Sequence, residues 1–188
     1  MSRHEVRVDL PEWVDGVVDW RATYGDDESR MRLAIALASE NVQRGTGGPF
    51  GAMIVEEESG RLISVGVNRV IPANSSTLHA EILALMLAQA RVGSYTLGAA
   101  DLPSHSLVAS CDPCAMCLGA TLWSGVRRLV CGATREDAVA VGFDEGPVFP
   151  ESYRYLKDRG IEVSHGVLRS DAREVLERYA RSGRIYNG

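Results

Sequence analysis

Apolar residues recur at helical spacing in several segments of the chain. A helix over residues 27–44 is predicted by apolar positions three and four residues apart, namely Met31, Ile35, Ala38 and Val42. Asp26 or Asp27 can cap its first turn. The same reasoning predicts further helices over residues 78–92, 114–124, 135–140, 152–159 and 170–182.

Short apolar runs bounded by turn residues predict the strands. Two of them, residues 51–56 and 62–67, are separated by Glu57-Glu58-Ser59-Gly60 and form a predicted hairpin, whereas residues 68–77 are predicted to be a loop. Three more strands are predicted over residues 106–109, 128–132 and 161–164. Helix and strand alternate after the hairpin, which predicts an α/β fold with a partly parallel sheet and helices on its faces.

The first 25 residues lack a sustained period. They contain Pro11, Trp13 and Trp20, and we interpret residues 1–25 as an N-terminal extension with one short helix within 11–20, whose tryptophans dock on the main body. Residues 26–188 are long enough for one domain with its own core, so we predict a single domain there.

Composition and charge narrow the class of protein. Apolar residues make up 45% and charged residues 24% of the chain, as in ordinary globular proteins, and no apolar run reaches the roughly 20 residues needed to cross a bilayer. Acidic residues near the N-terminus are unlike a signal peptide, so we expect a cytoplasmic protein without a membrane partner. The net charge of -5 argues against nucleic acid as a partner.

Two short motifs carry candidate metal chemistry. His79-Ala80-Glu81 stands at the start of one predicted helix, and Pro113-Cys114-Ala115-Met116-Cys117 stands at the start of another. Zinc binds imidazole nitrogen and thiolate sulfur, and cysteines three residues apart can reach one ion from a single helical turn. Helix N-termini also favour thiolates.

One histidine and two cysteines leave the fourth position of a tetrahedral zinc open, which is typical of catalytic zinc. Glu81 can then move protons as a general acid and base. A structural zinc site or a redox CxxC pair would account for Cys114 and Cys117 alone. Neither Cys111 nor Cys131 has the spacing of a second ligand pair, which favours the catalytic interpretation.

These motifs resemble the cytidine deaminase superfamily, whose zinc nucleobase deaminases have an H-x-E…P-C-x-x-C signature with a glutamate that is not a ligand. The resemblance covers roughly residues 27–165 and also includes Pro49-Phe50-Gly51-Ala52, Asn68 and Asn74. It implies a three-layer α/β/α sandwich around a five-stranded mixed sheet. It also implies one zinc ion per subunit, held by His79, Cys114 and Cys117, with Glu81 as the catalytic acid and base.

Within this superfamily, Ser110 to Ala120 and Gly142-Phe143-Asp144-Glu145 are similar to guanine deaminases, which convert guanine to xanthine and ammonia. The resemblance implies that Glu145 is a second catalytic carboxyl group. It also implies that Phe50 and Trp123 line or stack on the ring of the substrate and that Asn68 and Asn74 hydrogen-bond its edge. Ala80 and Asp144 are further predicted substrate contacts. Tyr186 is a candidate by position for the terminal aromatic residue with which such enzymes close the site, in some cases across a dimer.

Some features depart from the guanine deaminase pattern and keep other substrates open. Asp112 stands where that group commonly has glutamate, and residues 146–168 match no pattern with a stated role. Cytosine, a nucleoside or an aminotriazine would use the same metal chemistry. A tRNA adenosine deaminase is disfavoured because acidic residues interleave with the arginines of residues 169–184. The superfamily resemblance further implies a homodimer.

Overall fold

A five-stranded sheet forms the centre of the molecule. The structure, a computed structural model, describes residues 4, 6–182 and 184–187. Its strands are β1 (Gly51–Glu56), β2 (Leu62–Val67), β3 (His105–Cys111), β4 (Arg128–Ala133) and β5 (Glu162–Ser164). They lie in the order β2-β1-β3-β4-β5. Strand β1 pairs antiparallel with β2 and β3, whereas β3, β4 and β5 run parallel, so the predicted mixed sheet is confirmed.

Helices cover both faces of this sheet and complete the predicted three layers. They are α1 (Val14–Val17), α2 (Asp27–Gln43), α3 (Val70–Ala73), α4 (Ala80–Val92), α5 (Ala115–Ser124), α6 (Arg135–Ala140), α7 (Pro150–Asp158) and α8 (Arg169–Ser182). Helix α2 packs on one face and α4 with α5 on the other, while α8 lies against α2 and β4.

The central strands are buried on both sides, which explains their nearly continuous apolar sequences. In β1, Ile54 faces the core under α4 and α5, whereas Met53 and Val55 face the core under α2. Because neighbouring side chains of a strand point to opposite faces, one short strand contributes to two hydrophobic clusters. This rigid centre positions the loops and helix starts at its edge.

Helix α2 begins where the sequence predicts. The Asp26 side chain accepts a hydrogen bond from the Ser29 backbone N–H at 2.8 Å, which satisfies one of the free donors of the first turn. The predicted short helix of the N-terminal region is α1, and Val14 and Val18 are buried in the cluster that contains Met31. The N-terminal region therefore contacts the α2 side of the core.

The segment at residues 68–77 differs from its predicted loop because it contains α3. Asn74 ends this helix in the left-handed conformation, with φ of 50°, and its backbone N–H bonds the Ile71 carbonyl. One helical turn closed by a left-handed asparagine has no apolar period, so the pattern of hydrophobic residues cannot indicate it. Among the described helices, none combines the length and apolar character required to cross a membrane.

Candidate active site

The two sequence motifs meet at the start of two helices. His79 is the N-cap residue of α4 and Cys114 is the N-cap residue of α5, and neither side chain caps its own helix. Cys114 follows the end of β3 by three residues, whereas Cys117 lies one turn into α5 and is fully buried. The topology therefore directs one imidazole and two thiols towards the same point.

The spacing of these three side chains fits a zinc ion. The Nδ1 atom of His79 lies 3.6 Å from the sulfur of Cys114 and 3.6 Å from the sulfur of Cys117. Bond lengths of about 2.0 Å to nitrogen and 2.3 Å to sulfur in a tetrahedral site separate nitrogen and sulfur ligands by roughly 3.5 Å. The donor set and its geometry are thus those of a three-ligand zinc site with one further position for solvent or substrate.

A hydrogen bond between the two cysteines favours the thiolate form of Cys114. A hydrogen bond with the Cys117 thiol lowers the pKa of Cys114 to about 4. The same bond, together with burial, raises the pKa of Cys117. A thiolate is the ligand form of cysteine, so the pair is poised to bind a cation.

Glu81 lies in the first turn of α4, beside the metal ligands. It is 8% exposed, and burial, followed by the negative charge of Cys114, raises the pKa of its carboxyl group. A carboxyl group with a raised pKa exchanges protons more readily near neutral pH than an exposed one. Glu81 therefore has the position and environment of a general acid and base.

Asp112, Cys131 and His165 form a second group of possible ligand atoms. Its carboxylate is already engaged, because Asp112 accepts hydrogen bonds from the Arg135 backbone N–H at 3.2 Å and from His165 Nδ1 at 2.8 Å. The bond to Asp112 raises the pKa of His165. The hydrogen bond between Asp112 and His165 therefore explains why these side chains lie close together, and it anchors the loop before Cys114.

A cavity opens beside the metal ligands and is lined by both acidic and aromatic side chains. The lining residues are Phe50, His79, Glu81, Asp112, Cys114, Phe143, Asp144, Glu145, Tyr186 and Asn187. Of the residues proposed from the sequence, the structure thus brings Phe50, Asp144, Glu145 and Tyr186 to the same cavity as His79, Glu81 and Cys114. This is the space in which a small ring would meet the metal.

Glu145 is the second buried carboxyl group of the cavity. It is 7% exposed, and its backbone carbonyl accepts a hydrogen bond at 2.9 Å from the N–H of Ala115, in the first turn of α5. Burial, together with the charges of Cys114 and Glu81, raises the pKa of Glu145 to about 8. The loop that carries Glu145 is therefore fixed to the helix that carries both cysteine ligands.

Aromatic rings form one wall of the cavity. The Phe50 and Phe143 rings meet edge to face at 5.0 Å, and Phe143 meets Tyr186 in the same manner at 5.5 Å. The Tyr186 hydroxyl is buried without a hydrogen-bond partner among the described residues. An aromatic wall with a free hydroxyl group suits an aromatic heterocycle with polar edges.

The C-terminal segment, residues 184–187, lies across the loop of Glu145 within the same chain. Asn187 accepts a hydrogen bond from the Asp144 backbone N–H at 2.8 Å and donates one to the Gly142 carbonyl at 3.1 Å. Tyr179 donates to the Arg184 carbonyl at 2.7 Å. These bonds hold Tyr186 over the cavity.

Three residues predicted to contact the substrate, Trp123, Asn74 and Ala80, have side chains that do not line this cavity. The Trp123 side chain is 76% exposed near the far end of α5, about 13 Å along the helix axis from Cys114, and does not line the cavity. Asn74 is exposed and ends α3. The Ala80 methyl group is buried in the core beneath α4, so its backbone N–H, at the start of the helix, is its one polar group near the site.

Asn68 is buried directly after β2. Its side-chain oxygen accepts a hydrogen bond from the Val70 N–H at 3.2 Å, while its side-chain nitrogen has no partner among the described residues. A buried amide nitrogen without a partner is uncommon, and it is the kind of donor that a bound ligand can satisfy. Asn68 itself does not line the cavity.

Phe143 and Asn187 line the cavity although sequence analysis assigned neither a role. Phe143 precedes Asp144 and Glu145 in the sequence. An apolar residue beside two acidic residues is a signal that could have indicated a place in the cavity wall. Asn187 had no such signal, because its contact joins residues 43 positions apart. Asp112 was noted as a departure from a family pattern, and the structure places it in the cavity wall.

The chain shares sequence and structure with known deaminases. Residues 25–133 match the family described as cytidine and deoxycytidylate deaminase zinc-binding region. Guanine deaminase of Bacillus subtilis is 38% identical over 134 residues, which cover 71% of this chain and 81% of that protein. The tRNA-specific adenosine deaminase of Haemophilus influenzae is 31% identical over 163 residues, covering 84% and 85% of the two chains.

Solved structures agree over nearly the whole length. The guanine deaminase from Nitrosomonas europaea is 42% identical and superposes with a TM-score of 0.90 over 94% of this chain and 97% of that one. The protein NE0047 in complex with 2,6-diaminopurine is 43% identical, with a TM-score of 0.90 over 96% of each chain. With the metal-site geometry, these matches identify the chain as a hydrolytic deaminase that belongs to the cytidine and deoxycytidylate deaminase zinc-binding family.

Proposed function

We propose that this protein deaminates guanine, releasing xanthine and ammonia. The observation that carries the proposal is Glu145, a second buried carboxyl group that faces the same cavity as Glu81 and the metal ligands. Guanine presents an N1–H and a 2-amino group on one edge, and a carboxylate accepts both. The guanine deaminases among the relatives support the same assignment.

His79, Cys114 and Cys117 would hold the zinc, one ion per subunit. When bound, it supplies a Lewis acid that brings the pKa of a water molecule close to neutrality. The remaining side chains of the cavity then have two tasks, which are to place the ring and to move protons.

Glu81 carries the proton transfers. It accepts a proton as the water oxygen bonds to the ring carbon that bears the amino group, and it passes this proton to the adjacent ring nitrogen. The proton left on the added oxygen then passes to the amino group, the carbon–nitrogen bond breaks, and ammonia leaves while the carbonyl of xanthine forms. Water and guanine together contain all atoms of the two products, so Glu81 is unchanged after one turnover.

Glu145 and the aromatic wall orient the ring. The pKa of Glu145 is raised to about 8, so this carboxyl group can accept hydrogen bonds from the N1–H and amino edge when it is ionised and assist the second proton transfer when it is protonated. Phe50 and Phe143 supply apolar contact to the ring, and Tyr186 covers it from the C-terminal segment. Asn68 does not line the cavity as it stands, but its unpartnered side-chain nitrogen is a donor that a bound base would satisfy.

The charge distribution supports a free base over tRNA as the substrate. Two arginines of α8 form ion pairs within the protein, because Arg169 bonds Asp137 at 2.8 Å and Arg173 bonds Glu177 at 3.2 Å. Paired arginines neutralise few phosphates, and the net charge is -5. Cytosine, nucleosides and aminotriazines share the metal chemistry, so turnover must separate them from guanine.

We also infer a cytoplasmic homodimer. All four cysteines are free thiols, which agrees with a reducing compartment. Exposed apolar side chains lie on α5 and α7: Trp123 is 76% exposed, and Tyr155 is 50% exposed beside a groove lined by Leu118 and Leu122. Such a surface is typical of a subunit interface. Sedimentation analysis tests it, since Trp123→Glu would convert a dimer to a monomer, and a monomeric unmodified protein would contradict the inference.

Conversion of guanine by the zinc-loaded protein tests the proposed function. Xanthine and ammonia should form in equal amounts. The matched control is Glu81→Gln, which keeps the size of the side chain but cannot accept the proton. It should bind zinc and retain the fold while activity falls by a factor of about 10² to 10⁴. Failure of the unmodified, zinc-loaded protein to release xanthine would contradict the proposal.

A further inference from the structure

The N-terminal region reaches the substrate cavity through one continuous chain of hydrogen bonds. Trp13 Nε1 donates to the Thr46 hydroxyl at 3.0 Å, and this hydroxyl donates to the side-chain oxygen of Asn41 at 2.8 Å. The side-chain nitrogen of Asn41 donates to the carbonyl groups of Gly48 and Asn68, both at 2.9 Å. These bonds join α1, the end of α2 and the loop before β1 to the end of β2.

Asn41 is the centre of this chain. It is 0% exposed, and both of its side-chain N–H groups and its oxygen have partners. A buried amide with all of its hydrogen bonds formed fixes the relative position of its partners, because a displacement would leave buried polar groups unpaired. Space around it is also tight, since a Cβ atom at Gly47 would lie 2.6 Å from the Asn41 nitrogen and 1.8 Å from the Asn68 carbonyl oxygen.

The partners of Asn41 carry the cavity wall. The Gly48 carbonyl accepts from the Phe50 N–H at 2.9 Å, and the Phe50 carbonyl accepts from the Asn68 N–H at 3.0 Å. The Gly48 α-carbon lies against the ring of Tyr186, because a Cβ there would approach the Tyr186 hydroxyl to 2.2 Å. The two carbonyl groups bound by Asn41 therefore belong to the two segments, before β1 and after β2, that position Phe50, Asn68 and Tyr186.

We propose that Asn41 is a positioning residue for the base-binding wall, and that Trp13 and Thr46 extend its control to the N-terminal region. The inference rests on the proposed function, in which a nucleobase occupies this cavity. The chain of bonds does not include His79, Cys114 or Cys117. Weakening it should therefore loosen substrate binding and leave the metal and the proton transfers intact, so that KM rises while kcat changes little.

The test compares two tryptophans of the same region. Trp13→Phe removes the indole N–H but keeps an aromatic ring beneath Arg44, which lies 5.6 Å from the Trp13 ring. Trp20→Phe is the matched control, because Trp20 Nε1 donates at 3.1 Å to the Asp15 side chain within the N-terminal region and not to the cavity wall. Thr46→Val breaks the next bond of the chain with little change of shape.

KM for guanine is expected to rise about fivefold in Trp13→Phe and in Thr46→Val, the effect of one lost hydrogen bond. The value of kcat should stay within a factor of two, the zinc content should be unchanged, and Trp20→Phe should match the unmodified protein. The double variant Trp13→Phe with Thr46→Val should resemble Thr46→Val alone, since both changes break the same chain.

An unchanged KM in both Trp13→Phe and Thr46→Val would overturn the inference. An equal rise of KM in Trp20→Phe would also overturn it, because the effect would then come from general loosening of the N-terminal region. These results differ from failure of the proposed function, in which the unmodified protein would not convert guanine at all. If the Asn41→Ala variant folds, it is a direct test. We expect it to raise KM more than Trp13→Phe or Thr46→Val does.

Discussion

At the scale of residues, Cys114 and Cys117 differ from the other two cysteines in their surroundings. Cys114 and Cys117 share a hydrogen bond and face His79, whereas burial raises the pKa of Cys111 and Cys131 well above that of a free thiol. A buried neutral thiol behaves as a small apolar side chain, and a thiolate beside an imidazole behaves as a ligand. The four cysteines therefore divide into a metal pair and a structural pair.

Substitution of these cysteines separates the two roles. We expect Cys117→Ala to lose both zinc and activity, because one of the three ligands is removed. Cys131→Ala is the control: it also removes a buried sulfur, so it should lower the free energy of unfolding by about 1 kcal/mol but keep its zinc. Metal analysis of the purified proteins measures the difference. Stoichiometric zinc and full activity in Cys117→Ala would refute the ligand assignment.

Residue spacing predicts the metal site better than the substrate cavity. His79 and Cys114 act at the starts of helices that local sequence signals define, so their convergence can be anticipated. Trp123 is a large aromatic residue of the motif region, yet two and a half turns of α5 carry it away from the metal. Asn187 reaches the cavity by a contact across 43 residues, which no local pattern contains.

At the scale of elements, the start of α6 is joined to the start of α8 by an ion pair. Asp137 completes a capping box with Thr134 and accepts two hydrogen bonds from Arg169, at 2.8 and 3.0 Å. The bonds from Arg169 are the main reason that the pKa of Asp137 is lowered to about 2. These two helices lie behind the loop that carries Glu145, so the pair supports one side of the cavity.

The low pKa of Asp137 predicts how stability depends on pH. Its folded-state pKa lies below the value of about 3.9 for an unfolded chain, so the pair stabilises the fold above about pH 4 and loses that effect as the pH falls to about 2. Because Arg169 is half exposed and therefore screened, we expect Asp137→Asn to cost about 1 kcal/mol at pH 7.

Denaturant unfolding of Asp137→Asn and the unmodified protein should give free energies that differ at pH 7 and converge near pH 2. Asp101→Asn, at an exposed loop position, is the control and should follow the unmodified protein throughout. A difference that is constant across this pH range would show that the ionised carboxylate is not the source of the stability.

Strand β2 and helix α4 approach closely at Gly66. A Cβ atom there would lie 2.0 Å from the Ala80 carbonyl oxygen and 2.6 Å from the Ala84 nitrogen. Gly66→Ala must therefore push α4 away from the sheet, and Ala80 stands between His79 and Glu81. We expect a loss of about 1–3 kcal/mol in stability together with weaker zinc binding.

Gly25→Ala serves as the control for this change, because nothing lies within 4 Å of its added methyl group. It should leave both the unfolding free energy and the zinc affinity close to those of the unmodified protein. Equal zinc affinity in Gly66→Ala would mean that the position of His79 does not depend on the packing of α4 on β2.

At the scale of the whole molecule, alternation of helices and strands predicts the layers because each buried strand and each amphipathic helix must cover the other. The order of the strands and the α3 turn are harder to predict from the sequence, because they depend on pairing between distant segments. The cavity belongs to this larger scale. It is assembled from the residue before β1, the start of α4, the loop before α5, the loop between α6 and α7, and residues 184–187, which the fold alone brings together.

The measurement that tests the central claim most directly is ammonia release by the zinc-loaded protein from a panel of substrates, with Glu81→Gln as the blank. The panel contains guanine, guanosine, adenine, cytosine, cytidine and an aminotriazine. We expect guanine to have the highest kcat/KM, and we expect Glu145→Gln to abolish most of the turnover of guanine. Turnover of cytosine or a nucleoside with guanine inert would contradict the substrate assignment and leave only the metal chemistry in place.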